Sequence, residues 1–138
     1  MNVARNQLTV TAEAALHLVQ EAVAQGATRG VAVSVAVVDP TMTLVAFVKA
    51  DGATAHSADT SRRKANTSAS TRRPTGWMDA DLAAAIPPAT GGALTNIAGG
   101  QPLLVDGQVV GGLGIAGGTP AQDAQIAEAT VAGFGPIS

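Results

Sequence analysis

Asp106-Gly107-Gln108-Val109-Val110-Gly111-Gly112-Leu113-Gly114-Ile115-Ala116-Gly117-Gly118-Thr119-Pro120-Ala121-Gln122 reads as a tight turn, a strand and a helix start in direct succession. Asp-Gly is a favoured dipeptide at two-residue hairpin turns, so Pro102 to Val105 and Gln108 to Ile115 are expected to pair as antiparallel strands. Thr119 then offers an N-cap hydroxyl, Pro120 suits the first helical position, and Gln122 stands where a capping box needs an amide side chain. A strand pair delivering the chain straight into a capped helix is the nucleus of a mixed fold.

Working towards the N-terminus, Val31 to Val38 is a β-branched run bounded by Asp39-Pro40, and with Thr43 to Val48 it predicts a second hairpin. Before it, Ala12, Leu16, Val19 and Val23 recur at helical spacing over about Thr11 to Gln25, with Thr9 or Thr11 as N-cap and Gly26 as C-cap. Between the hairpins, Asp51-Gly52 marks a turn and Ala55 to about Ser70 a helix closed by Pro74. Asp79 to Ile86 is expected to form a short helix stopped by Pro87-Pro88. The order is helix, two strands, two helices, at least two strands, helix. It predicts one α/β (α+β) domain, a central antiparallel sheet with helices packed on it.

Composition bounds the function. The 138 residues suit one hydrophobic core. Apolar residues make up 46% of the chain but aromatics only 2%, so large anchors are few and oligomerisation is expected to add buried surface. The absence of cysteine excludes a disulfide scaffold, an iron–sulfur cluster, a thiolate zinc site and a cysteine nucleophile. No apolar run marks a signal peptide or a membrane span, so a cytoplasmic protein is expected. The net charge is −2, yet five of the eight basic residues, Arg62, Arg63, Lys64, Arg72 and Arg73, crowd into one short stretch. Without interleaved aromatics, that stretch does not point to nucleic acid. Carboxylates of a ligand or of a neighbouring subunit are the expected partners.

Val35-Ala36-Val37-Val38-Asp39, Asp51-Gly52-Ala53 with Ser57 and Lys64-Ala65, then Gly99-Gly100-Gln101-Pro102, the glycine-rich hairpin and Gln122-Asp123 resemble, in order and spacing, the haem-degrading, GlcG-like family that includes HbpS and the C-terminal domain of PduO-type proteins. The resemblance runs from about residue 8 to 133 of a single domain, 1–138. It implies a profilin-like α/β fold, assembly into dimers that build larger oligomers, and haem binding in some relatives. This chain departs from the pattern by carrying Met42 where the family's first hairpin usually turns through a glycine, and by its dense arginines.

Several residues are candidates for chemistry. Lys64, Asp39, Asp51 and Asp123 lie in or beside the matching motifs, and a lysine and an aspartate brought together in an apolar interior can serve as an acid–base pair. Asp39 before Pro40 and Asp51 before Gly52 are equally good turn formers, and a lysine is more often solvated. Gly117 and Gly118, ahead of the capped helix, could present backbone N–H groups to an anion, or the glycines could let another backbone approach closely. With no cysteine or tyrosine, His17 and His56 are the first candidates for a haem-iron ligand by elimination, ahead of Met42 and Met78, with Arg62 and Arg63 expected near propionates. His17 shares a helical face with Glu13 and Glu21, which fits either a metal ion or a solvated polar face. Trp77 could stack on a planar ligand or anchor the Pro-rich loop. Two functions are therefore expected: an oligomeric protein binding haem or a related tetrapyrrole, or a cofactor-independent isomerase or lyase acting on a small carboxylate with Lys64 and aspartates as acid–base groups.

Overall fold

The computed structural model describes residues 1–135 and has the expected element order: α1 (Ala12–Thr28), β1 (Ser34–Val38), β2 (Leu44–Lys49), α2 (Ser57–Thr71), α3 (Ala80–Ala89), β3 (Gly100–Val105), β4 (Gln108–Ala116) and α4 (Pro120–Val131). The four strands form one antiparallel sheet in the order β2-β1-β4-β3. Ser34 pairs with Lys49 on one side and Ala116 on the other, which makes β1 central and explains why all five of its residues are buried. Asp106 and Gly107, both at positive φ (51° and 76°), make the β3–β4 turn that the Asp-Gly pair predicts. The capping box at Thr119 and Gln122 is formed.

The two faces of the sheet bury different chemistry. Val35 and Val37 point to the face covered by α1 and α4, where Leu18, Val19, Leu113, Ile115 and Ile126 complete an aliphatic core. Ala36 and Val38 point the other way, to α2, where they meet only Ala65 and Ala69. That second face is thin because α2 lies almost directly on the sheet. A Cβ on Gly112 would run into the carbonyl of Ala65, and one on Gly114 into the carbonyl of Ser61. Close approach is thus what these glycines provide. It also buries a polar helix: Ser57, Ser61, Lys64, Asn66, Thr67 and Ser68 are all buried. Ser61 and Thr67 satisfy their hydroxyls on the carbonyls of Ala58 and Arg63, and Thr67 Oγ1 accepts from the Thr95 N–H.

Three local expectations are corrected. The buried face of α1 is Ala15, Leu18, Val19, Ala22 and Gly26, while Leu16 is 56% exposed. Alanines populate both faces of this helix, and each supplies too little apolar area to fix its rotation. Gly26 does not end α1; it is packed against Val31 and Val33, and Gly30, at φ 73°, follows the cap residue Arg29. Finally, α3 runs through Pro87 and Pro88 to Ala89. The prolines deprive the carbonyls of Ala83 and Ala84 of donors, but neither residue is buried, so water can serve them. Thr90 closes the last turn with its N–H and hydroxyl on the Ile86 carbonyl.

Candidate functional site

Lys64 sits in the middle of α2 and is 1% exposed. Its Nζ donates to the Ile115 carbonyl at 2.8 Å and to Asp123 Oδ2 at 3.0 Å. Asp123, in the first turn of α4, is 2% exposed, and its other oxygen accepts from the Gly118 N–H at 2.9 Å. One ion pair thereby ties α2, the end of β4 and the start of α4. Gly99, at φ 129°, leaves the room: a Cβ there would lie 2.9 Å from Nζ. Burial pushes the Lys64 pKa below the ordinary lysine value, and the charge and hydrogen bond of Asp123 only partly oppose it.

A cleft of about 280 Å³ opens over this pair, walled by α2, the β4–α4 connection and Ile97. His56, Thr60, Gly117 and Gly118 line it together with Lys64 and Asp123. Six of the ten candidates read from the sequence are therefore accounted for in two groups: Lys64, Asp123, His56, Gly117 and Gly118 converge here, and His17 lies elsewhere. Most of the backbone N–H groups at this helix start already have acceptors within the chain. Gly118 N–H is taken by Asp123, Thr119 N–H by Gln122 Oε1 and Gln122 N–H by Thr119 Oγ1, and Pro120 has none. The anion at this helix start is the chain's own Asp123.

The remaining candidates stand apart. Asp39 Oδ1 accepts from Thr41 N–H, Thr41 Oγ1 and Thr43 N–H, holding the first hairpin turn. Slight burial raises its pKa, but those hydrogen bonds outweigh it and the net shift is downward. Asp51 lines a separate shallow groove with Val23 and Ala50. Arg62 is exposed, and Arg63 pairs with Asp59 at 2.8 Å and rests against Gly92. Trp77 is 39% exposed under the Arg73 guanidinium, 4.0 Å from the ring centroid, while its neighbour Met78 is the buried one.

His17 is exposed on α1 beside a groove of about 270 Å³ between α1 and α4, lined by Ala14, Leu18 and Phe134. A second groove of about 320 Å³, lined by Leu8, Val10 and Val110, has Ala14, Phe134 and Gly135 in common with the first, so the two are neighbours on one mostly apolar face, the α1–α4 trough. No sequence motif marks this face, because it joins the two ends of the domain. Among the described residues no three His, Asp or Glu side chains gather to hold a metal ion; Glu13 and His17 are exposed, and the half-buried Glu21 accepts from Gln25. No described helix is long and apolar enough to cross a membrane.

Residues 10–132 match the family described as haem degrading protein HbpS-like. Three solved structures are similar along nearly the whole chain. Protein ORFY of Klebsiella pneumoniae is 25% identical, with 96% of this chain and 94% of that one covered at a TM-score of 0.86. A double mutant of Streptomyces reticuli HbpS is 34% identical, with 94% and 89% covered at a TM-score of 0.84. PduOC, solved as a haem complex, is 25% identical, with 92% and 96% covered at a TM-score of 0.84. Among curated proteins nothing matches the chain.

Proposed function

Since the chain belongs to the haem degrading protein HbpS-like family, we propose that it is an oligomeric binding protein for haem or a related tetrapyrrole, with His17 as the iron ligand. The setting of His17 carries this reading. A macrocycle needs a long apolar wall and one nitrogen donor at its face, and the α1–α4 trough supplies both. The cleft at Lys64 carries a buried ion pair, which suits a small polar molecule instead. The likeness to PduOC, a haem complex, supports the ligand class.

Arg62 and Arg63 lie on α2, across the sheet from α1, so propionates at His17 would face solvent or a neighbouring subunit and not these arginines of the same chain. A neighbouring subunit is in keeping with α3, an apolar helix in which no residue is buried; Leu82 is 37% exposed. Such a surface is expected to be covered by another copy. Titration with hemin tests the proposal: a Soret band that saturates at one haem per subunit supports it, and non-saturating adsorption rejects it. Light scattering on the same samples tests the assembly, which a monomer at micromolar concentration would exclude. A second reading, a cofactor-independent isomerase or lyase, draws on a different observation, the Lys64–Asp123 pair on the wall of its own cleft.

A further inference from the structure

We propose that Lys64 is an amine nucleophile that captures small aldehydes or ketones in the cleft between α2 and α4, with Asp123 as its proton partner. This goes beyond haem binding and uses a different part of the molecule, so failure of hemin to bind leaves it standing.

An ion pair buried only to hold elements together is replaceable by apolar side chains at little cost, since desolvation offsets most of its attraction. Here the pair is not sealed inside the core but forms the wall of a cleft, with His56 and Thr60 on the same wall. Lys64 Nζ has two protein acceptors, Ile115 O and Asp123 Oδ2, for three hydrogens, so one hydrogen has no protein acceptor, and the side chain is among those lining the cleft. Burial favours the uncharged amine, the form that attacks carbonyl carbon. The volume, about 280 Å³, lies just below the usual range for drug-sized ligand pockets and suits only a small metabolite.

The chemistry balances without any added oxidant or reductant. The Lys64 ammonium passes one proton to Asp123 Oδ2 at 3.0 Å. The free amine attacks the carbonyl carbon; the C–N bond forms, the C=O π pair moves to oxygen, and that oxygen takes the proton back from Asp123. The carbinolamine then loses a second nitrogen-borne proton through Asp123 to its hydroxyl, which leaves as water, and the C=N bond remains. The protonated imine withdraws electrons from the adjacent carbon, so proton loss or bond cleavage there becomes easier, which places the substrate class among small carbonyl compounds. His56 and Thr60 stand where they could hold a polar tail of such a compound.

The chain contains only two lysines, and this makes the test internal. Lys49 is exposed and Lys64 is buried, so indifferent chemistry labels Lys49 first. The folded protein is treated with glyoxylate and sodium cyanoborohydride at neutral pH, and the carboxymethylated lysines are located by peptide mass spectrometry. Labelling of Lys64 faster than Lys49 is expected, with slower labelling of Lys64 in Asp123→Asn at an unchanged Lys49 rate. In Lys64→Arg, which keeps the cation, the Lys64 label is lost, circular dichroism verifies the fold, and Lys49 is labelled as before. Label confined to Lys49 and the amino terminus, with Lys64 reached only after denaturation, would overturn the proposal and leave the pair a structural tie.

Discussion

Lys64 Nζ and Asp123 Oδ2 meet at 3.0 Å across 59 residues of sequence, with both side chains almost wholly withdrawn from water. Loss of either partner leaves an uncompensated polar group inside the protein. Lys64→Met is expected to cost about 3–5 kcal/mol, and Lys64→Met with Asp123→Leu to recover a large part of that. Urea denaturation of the two single variants and the double variant measures the coupling; additive losses would contradict a direct pair.

Stability should depend on pH in two windows of opposite origin. Folding lowers the Lys64 pKa, so between the folded value and the ordinary lysine value the unfolded chain binds more protons, and stability rises with pH there. That rise should be missing from Lys64→Met. Folding also lowers the Asp39 pKa, so its contribution is complete above the ordinary carboxylate value and is lost as pH falls through the folded one. Asp39→Ala should flatten the acid limb of the profile. Identical pH profiles for wild type and both variants would refute these assignments.

Gly114→Ala should be among the most damaging single changes, at about 3 kcal/mol or more, because its methyl group would strike the α2 backbone at Ser61 and Ala65, which cannot move without lifting the helix off the sheet. Gly107→Ala is a useful contrast, since nothing lies near its Cβ and only its positive φ of 76° resists the change. Thermal denaturation should rank Gly114→Ala well below Gly107→Ala.

Met42 adopts φ 64° at the first hairpin turn, a region in which a side chain is strained. Met42→Gly is expected to raise stability, by roughly 0.5–1 kcal/mol, as the relief of that strain outweighs the added freedom of the unfolded chain. A drop in melting temperature would show that the Met42 side chain contributes contacts worth more than the strain.

Local chemistry made much of this protein legible. Asp106-Gly107 and Thr119-Pro120-Ala121-Gln122 each carry their own conformational instruction, and the turns and caps they encode are present. Where alanine replaced larger apolar residues, the signal weakened: α1 could have turned either Leu16 or Leu18 inward, and packing chose Leu18. Lys64 sits in a helix rich in Ser, Thr and Arg, whose composition describes a solvated surface. Its burial follows from Gly112 and Gly114, two residues apart on one face of β4, which draw the polar helix down onto the sheet. That His17 and Phe134 line one groove depends on how α1 and α4 pack side by side, and no short-range pattern records it.

The most direct test of the account compares hemin binding by wild type, His17→Ala and His56→Ala. Wild type and His56→Ala are predicted to give the same saturable Soret transition, and His17→Ala to lose it. Undiminished binding by His17→Ala, or loss of the transition only in His56→Ala, would contradict the placement of haem in the α1–α4 trough.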